Sequence, residues 1–306
     1  MTPMDRSELL TVIIDGSTLG WSHLEGAAAV SERSSPHRSN FAEFIDTVGV
    51  FLSTIALQSH RHFLCVLSYN GTSGGYVLPR PPGSSSSAPQ LDFALSGAGI
   101  RAADVRNRVR AALIALHGEN HAATAALGLT NQSATLAACM ALALCFHHRV
   151  NRSVPRLQSR ILIFQAHADA PMQYIPLINA AYSAQRFGVA IDSVLLSAPE
   201  RRGAEASVFL EQAAHLTGGL HTHPTLDDHD ALLAFLVMHY SSNLDTRARL
   251  LLPPTRSIDL RAHCFCHRDH KSIAWVCSVC LSVYCDYTDV CATCGTRAPS
   301  STVPAG

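Results

Sequence analysis

Lysine is almost absent. Lys271 is the single one in 306 residues, and the rest of the basic side is arginine. A lysine-rich targeting run is therefore excluded. A chain held on nucleic acid by bulk charge is excluded as well, because 23 basic residues balance 23 acidic ones and the formal net charge is zero. Long apolar runs are missing too. The longest, near Ala134 to Phe146, is about 13 residues, short of the ~20 that a spanning helix needs. The first residues carry Asp5, Arg6 and Glu8 and lack the apolar core of a signal peptide. No internal repeat is visible. The expectation is a soluble intracellular protein without a membrane partner, in which the glycosylation-type triplets at Asn70, Asn131 and Asn151 are chance matches.

Cysteine is concentrated in one place. Seven of the ten cysteines lie in the 31 residues from Cys264 to Cys294. A hydrophobic core does not need that density, whereas a metal site does. Structural zinc takes four ligands tetrahedrally, and a Cys-x-x-Cys spacing turns both sulfurs toward one ion. Cys277, Cys280, Cys291 and Cys294 form two such pairs separated by ten residues, the expected ligands of a first zinc. Cys264, Cys266, His267 and Cys285 remain to hold a second, interleaved ion, although Cys-x-Cys is a tighter bite and His267 could stand aside. A disulfide framework would require an oxidising compartment, which nothing here indicates. Zinc bound by four such ligands is structural, with no open position for chemistry.

The rest of the chain alternates strands and helices. Leu9–Ile14 is a continuous apolar run, the pattern of a parallel strand buried on both faces. Strands are also expected at His62–Leu67, Tyr76–Leu78, Arg160–Gln165, Val189–Leu196 and Leu220–Thr222. Helices are expected at Phe41–Leu57, Ala103–Leu116, Ala134–Val150, Ile175–Phe187, Ala204–Leu216 and Leu226–Met238. Ala134–Val150 is apolar almost all round and so expected to be buried. The whole reads as an α/β, doubly wound, mainly parallel sheet over residues 1–243, with a flexible Pro/Ser/Gly-rich insertion at 79–100. A linker at 244–262, a small C-terminal zinc-binding module at 263–296 and a disordered tail at 297–306 complete the expected organisation.

Three motifs compete for a role in that α/β domain. Asp15-Gly-Ser17 closes the first strand, where ligands bind in open α/β sheets. An Asp-x-Ser-x-Ser there, a Thr from another loop and an Asp after the fourth strand make the metal-ion-dependent adhesion site of von Willebrand factor A (vWA) domains. Asp15, Ser17 and Asp169 match, but Leu19 fills the second serine's place and cannot coordinate. Thr130 is one candidate for the threonine. Losing an oxygen ligand is serious for Mg²⁺, so the expectation is that Asp15 caps its loop. Gly71-Thr-Ser73-Gly-Gly75 mimics a nucleophile elbow, yet Tyr76–Leu78 reads as a strand where a helix is needed, so a hairpin is expected. Gly97-Ala-Gly99-Ile-Arg-Ala102 mimics a dinucleotide fingerprint but does not follow the first strand. His147, His148, His221 and His223 lack ligand spacing and are expected to be packed or solvated.

Asp169-Ala-Pro-Met-Gln-Tyr174, Asn179-Ala-Ala-Tyr-Ser-Ala-Gln185 and the Thr217-Gly-Gly219 turn resemble the thirty-four-kilodalton subunit family of the general transcription factor TFIIH. So do Leu252-Pro-Pro254, Arg261-Ala-His-Cys-Phe-Cys-His267, Trp275-Val-Cys-Ser-Val-Cys-Leu-Ser282 and Cys291-Ala-Thr-Cys-Gly295. The resemblance runs from Leu9 to Gly295; the insertion and the scarcity of lysine depart from it. It implies a vWA-like domain followed by a C4-type zinc finger. It also implies a nuclear, non-catalytic TFIIH core subunit serving RNA polymerase II transcription and nucleotide excision repair. The implied partners are the forty-four-kilodalton subunit and other core subunits, with DNA met at most indirectly. Two readings compete. A RING-type ubiquitin ligase would need a Cys-x-His-x-x-Cys centre, which is absent between Cys266 and Cys285. A metal-dependent adhesion-type receptor would need Mg²⁺ at Asp15.

Overall fold

β1, Glu8–Asp15, is buried along its whole length. Its apolar side chains alternate between two cores: Leu10, Val12 and Ile14 enter one, Leu9 and Ile13 the other. A strand with no solvent face must be central, and β1 lies parallel between β2, His62–Tyr69, and β4, Gln158–Gln165. The computed structural model describes residues 7–17, 20–21, 40–59, 61–70, 73–78, 105–114, 136–154, 156–167, 169, 173–196, 207–224, 229–252, 262–267 and 270–297. The 79–100 insertion, Leu19, Thr130 and the Gly97–Ala102 motif lie outside them.

The main sheet has six strands in the order β3-β2-β1-β4-β5-β6. β3 is Gly74–Leu78, β5 Ala190–Leu195 and β6 His221–Thr222. All neighbours are parallel except β3, which pairs antiparallel with β2. Helices cover both faces, as a parallel sheet requires. On one side α1, Asn40–Gln58, the helical stretch 105–114 and α5, His229–Tyr240, supply Phe44, Val48, Val109 and Leu236. On the other, α2, Leu136–Ser153, α3, Tyr174–Phe187, and α4, Val208–Thr217, supply Met140, Ala181 and Leu210. α1 is long and apolar enough to cross a membrane by length and composition, but Phe44, Val48 and Phe51 are fully buried in the core.

Three expectations change in detail. α2 is not buried all round: Ala138, Ala141, Cys145 and His148 form an exposed face, because the helix lies on one side of the sheet and only its other face meets the core. α4 begins at Val208 and not at Ala204, since Ser207 is extended and its hydroxyl accepts the Leu210 N–H as an N-cap. The segment expected to begin the linker instead forms α6, Leu244–Arg247, capped by Asn243.

The chain divides into two units, Met1–Thr255 and Arg256–Gly306. Within the second, β7, Ala262–His263, pairs with β8, His270–Lys271, and β9, Trp275–Val276, pairs with β10, Val283–Tyr284. Among its described residues, buried apolar side chains are few. Val283, Tyr284, Cys264 and Cys291 are buried, whereas Ile273, Trp275, Val276 and Val279 are exposed.

Candidate functional site

β1 ends at the point where the sheet order turns back on itself, between β1 and β4. This is where a doubly wound sheet opens a crevice. Asp15 lies there fully buried, and donors from the chain itself satisfy both its oxygens. Oδ1 accepts the Ser17 N–H at 2.8 Å, and Oδ2 accepts the Ala166 N–H at 2.9 Å and His167 Nδ1–H at 2.5 Å. Burial pushes the Asp15 carboxyl up, but His167 and the two backbone N–H groups outweigh it and hold the group below its ordinary range. Burial likewise disfavours the His167 imidazolium, and the Asp15 carboxylate overcomes this and raises its pKa.

Asp169 also serves an internal purpose. Oδ1 accepts from Ser207 Oγ at 2.6 Å and from Gln165 Nε2 at 3.1 Å, and Oδ2 accepts the Phe209 N–H at 3.1 Å. It thus ties β4 to the N-terminus of α4, where a negative charge suits the helix dipole. Burial dominates over these donors and raises its pKa. Both acids of the expected metal site are therefore spent on the fold.

The other motifs resolve by geometry. Ser73 of the elbow-like stretch sits in a turn, its N–H donating to Asn70 Oδ1 at 2.6 Å, and an antiparallel strand follows it. His147 Nδ1 lies 2.7 Å from Ser159 Oγ and His221 Nδ1 2.6 Å from Ser193 Oγ, so both are packed. Burial and neighbouring His223 push His221 down to about 3.

Two buried ion pairs escape sequence reasoning. Arg247 meets Asp192 with two parallel bonds, Nη1 to Oδ1 at 2.8 Å and Nη2 to Oδ2 at 2.7 Å, and Leu220 N–H adds a third at 2.9 Å. Arg160 Nε lies 2.8 Å from Glu8 Oε1, and its Nη1 reaches the Ser242 carbonyl at 2.9 Å. Arg160 sits in an apolar strand and Arg247 in apparent linker, so no local pattern marks either. The Thr217-Gly-Gly219 turn beside them has a steric reason. Gly218 has φ 71°, and a Cβ on Gly219 would come within 1.9 Å of the Ile191 carbonyl oxygen.

In the second unit the two cysteine groups come together as interleaved sets. The ligand atoms of Cys264, Cys266, His267 and Cys285 lie within 4.8 Å of one another, and so do those of Cys277, Cys280, Cys291 and Cys294. Either group could hold a metal ion. Cys277 Sγ is 3.7 Å from Cys294 Sγ, Cys280 Sγ is 3.5 Å from Cys291 Sγ, and His267 Nδ1 is 3.4 Å from Cys285 Sγ.

The two Cys-x-x-Cys turns share one hydrogen-bond pattern. Cys277 N–H donates to the Ser282 carbonyl and Leu281 N–H to the Cys277 carbonyl. Likewise Cys291 N–H donates to Thr296 and Gly295 N–H to Cys291. A hydroxyl two residues on lies beside each second cysteine: Ser282 Oγ is 3.0 Å from Cys280 Sγ and Thr296 Oγ1 is 3.1 Å from Cys294 Sγ. Sulfurs this close cannot all ionise without a cation. Cys285 is pushed up to about 12 by hydrogen bonding to Cys264, whereas the Tyr284 hydroxyl pulls Cys291 down to about 5.

Comparisons with known proteins agree with this layout. The chain is 29% identical over 292 residues to the general transcription and DNA repair factor IIH subunit TFB4 of Arabidopsis thaliana, covering 95% of this chain and 89% of that protein. It is 28% identical over 293 residues to the Schizosaccharomyces pombe subunit tfb4, covering 96% and 89%. A 37% match to general transcription factor IIH subunit 3 of Dictyostelium discoideum spans 54% of this chain and 42% of that protein. Among solved structures, the TFIIH p34 N-terminal domain aligns with a TM-score of 0.56 at 20% identity, covering 78% of this chain and all of that one, which supports the vWA-like fold. The family described as Transcription factor Tfb4 matches residues 7–295, the sheet unit and all eight clustered ligands together, and the chain belongs to that family.

Proposed function

We propose that the chain is a structural, non-catalytic subunit of the TFIIH core, serving RNA polymerase II transcription and nucleotide excision repair in the nucleus through protein contacts. The observation that carries this reading is the family match over residues 7–295, which takes in both units. The names of the relatives support it, since they are general transcription and DNA repair factor IIH subunits. The chemistry supports it too. Asp15 and Asp169 spend their oxygens on internal donors, and Ser73 lies in a hairpin. The ubiquitin-ligase reading gains nothing from these relatives.

The two clusters each hold one structural zinc. A 2.3 Å Zn–S tetrahedron separates its sulfurs by about 3.8 Å, and replacing one sulfur by a histidine nitrogen shortens that edge to about 3.6 Å. The 3.7, 3.5 and 3.4 Å separations lie close to those values. With four protein ligands per ion no position stays open, so the metal supplies folding energy and no reaction. The proposed direct partner is the forty-four-kilodalton subunit of TFIIH; DNA contact is at most indirect, and no membrane is involved.

The test is affinity purification of the tagged full chain from nuclear extract, with the partners identified by mass spectrometry. Stoichiometric recovery of the TFIIH core subunits is the expected result. Recovery of the chain alone, or with ubiquitin-conjugating enzymes in their place, would overturn the reading.

A further inference from the structure

We propose that His167 is the resident cation of the strand edge, standing where an adhesion-type vWA domain would bind a divalent ion. The fold class implies such an ion, and the residues present do not fit one. Mg²⁺ asks for six oxygens in near-octahedral array. At this edge Asp15 Oδ2 already accepts two bonds, one from His167 Nδ1, and Oδ1 accepts the Ser17 N–H. Asp169 is engaged by Ser207, Gln165 and Phe209. Of the matching side chains, Ser17 alone keeps a buried oxygen, its Oγ, with no hydrogen-bond partner among the described residues.

The placement of His167 does the work of a bridging ion. A divalent ion at such an edge would join the loop after β1 to the loop after β4. His167 follows β4 by two residues and reaches across to a carboxylate that closes β1. Its neighbour Ala166 adds a backbone N–H to the same oxygen, so the two loops are fastened by one charged and one neutral bond. The remaining surroundings suit a cation. Asp169 contributes a second favourable charge, and the edge of the Tyr69–imidazole pair closes the other side at 5.9 Å between ring centroids. An imidazolium already hydrogen-bonded to the carboxylate would repel a second positive charge at close range, because both would share a buried, low-dielectric site.

The full chain is tested by thermal unfolding of its sheet unit with and without millimolar Mg²⁺, a hard cation that thiolate clusters do not favour. The wild-type midpoint should ignore Mg²⁺. His167→Ala should lower the midpoint by about 5 °C, and Mg²⁺ should restore part of that loss, because Asp15 Oδ2 then loses its charged partner. A Mg²⁺-induced rise in the wild type overturns the proposal, and this arm stands even if the variant fails to fold. So does a His167→Ala chain that is as stable as the wild type, or one that is destabilised and still indifferent to Mg²⁺.

Discussion

Leu281 and Gly295 occupy equivalent positions. Each follows the second cysteine of a Cys-x-x-Cys turn, each has a left-handed backbone, with φ 59° and 71°, and each donates its N–H to the carbonyl of the first cysteine, at 3.0 and 2.8 Å. Glycine takes this conformation freely, whereas a leucine loses roughly 1–2 kcal/mol there. The Leu281 side chain is 53% exposed, so burial within this chain does not offset that strain.

The first prediction follows from that asymmetry. Leu281→Gly should hold its metal about fivefold more tightly against a chelator, corresponding to ~1 kcal/mol, and Gly295→Ala should hold it less tightly by a similar factor. Open space surrounds the Gly295 Cβ position, so any loss there is backbone strain alone. Chelator competition on the two variants decides the matter. A Leu281→Gly chain that releases metal faster than wild type would mean that the leucine packs within the module.

The second prediction concerns Arg247. Replacing it with methionine leaves the Asp192 carboxylate buried with the Leu220 N–H as its remaining donor among the bonds described above. Removing one partner of a buried, bidentate pair costs about 3–5 kcal/mol. The sheet unit should melt roughly 10 °C lower, and Arg247→Lys should recover only part of this because an ammonium cannot make the parallel bonds. Replacing both Arg247 and Asp192 by leucine should restore most of the loss. A methionine variant melting within a degree of wild type would show that the pair contributes nothing.

A third prediction is the pH window of the Asp15–His167 pair. The Asp15 pKa is lowered in the fold, so its contribution is present above the unfolded value near 4 and is lost as pH falls through the still lower folded value. The His167 pKa is raised, so its contribution is full below the unfolded value of about 6.5 and is lost as pH climbs through the higher folded one. Asp169 and Tyr69 face the same pair, and the raised Asp169 pKa works the other way on the acid side, because a carboxyl that holds its proton more tightly in the fold adds stability as pH falls. The wild-type melting temperature should therefore plateau in mildly acidic solution and fall toward alkaline pH. In His167→Gln the alkaline fall should flatten, and an unchanged alkaline slope in that variant would remove the pair from the account.

Periodicity made the sheet legible. β1 reads as doubly buried because its apolar residues have no polar alternation, and the order of strands and helices then leaves few topologies. The cysteine spacing was equally readable, since two-residue gaps are a local property. Contacts made at long range were not. Arg247 pairs with Asp192 across 55 residues and His167 with Asp15 across 152, and neither arginine nor histidine there carries a flanking pattern that would mark it. The exposed face of α2 escaped for a different reason. Alanine and cysteine at Ala138, Ala141 and Cys145 score as apolar, yet being small they tolerate solvent with little penalty, so composition alone could not tell which side of the helix was buried.

The last prediction is that the finger exists by virtue of its metal. Few of its apolar side chains are buried, with Val283 and Tyr284 the main ones, while Ile273, Trp275, Val276 and Val279 face solvent. Ordering about thirty residues costs roughly 1.5 kcal/mol each, far beyond what a few buried side chains return at about 25 cal/mol per Å². Structural zinc contributes on the order of 10–16 kcal/mol per site at neutral pH. The two clusters are also mechanically joined, because Cys280 and Cys285 flank β10 and Phe265 N–H donates to the Val283 carbonyl in that strand. Cys280→Ser should therefore release both ions, not one, and expose the segment 262–297 to protease while the sheet unit stays protected. Cys145→Ser, at an exposed cysteine outside both clusters, should keep two ions per chain. Metal analysis paired with limited proteolysis reads both outcomes. A Cys280→Ser chain that retains its full metal content and a resistant finger would show that the ligands are assigned wrongly, and one that loses a single ion would show that the clusters fold independently.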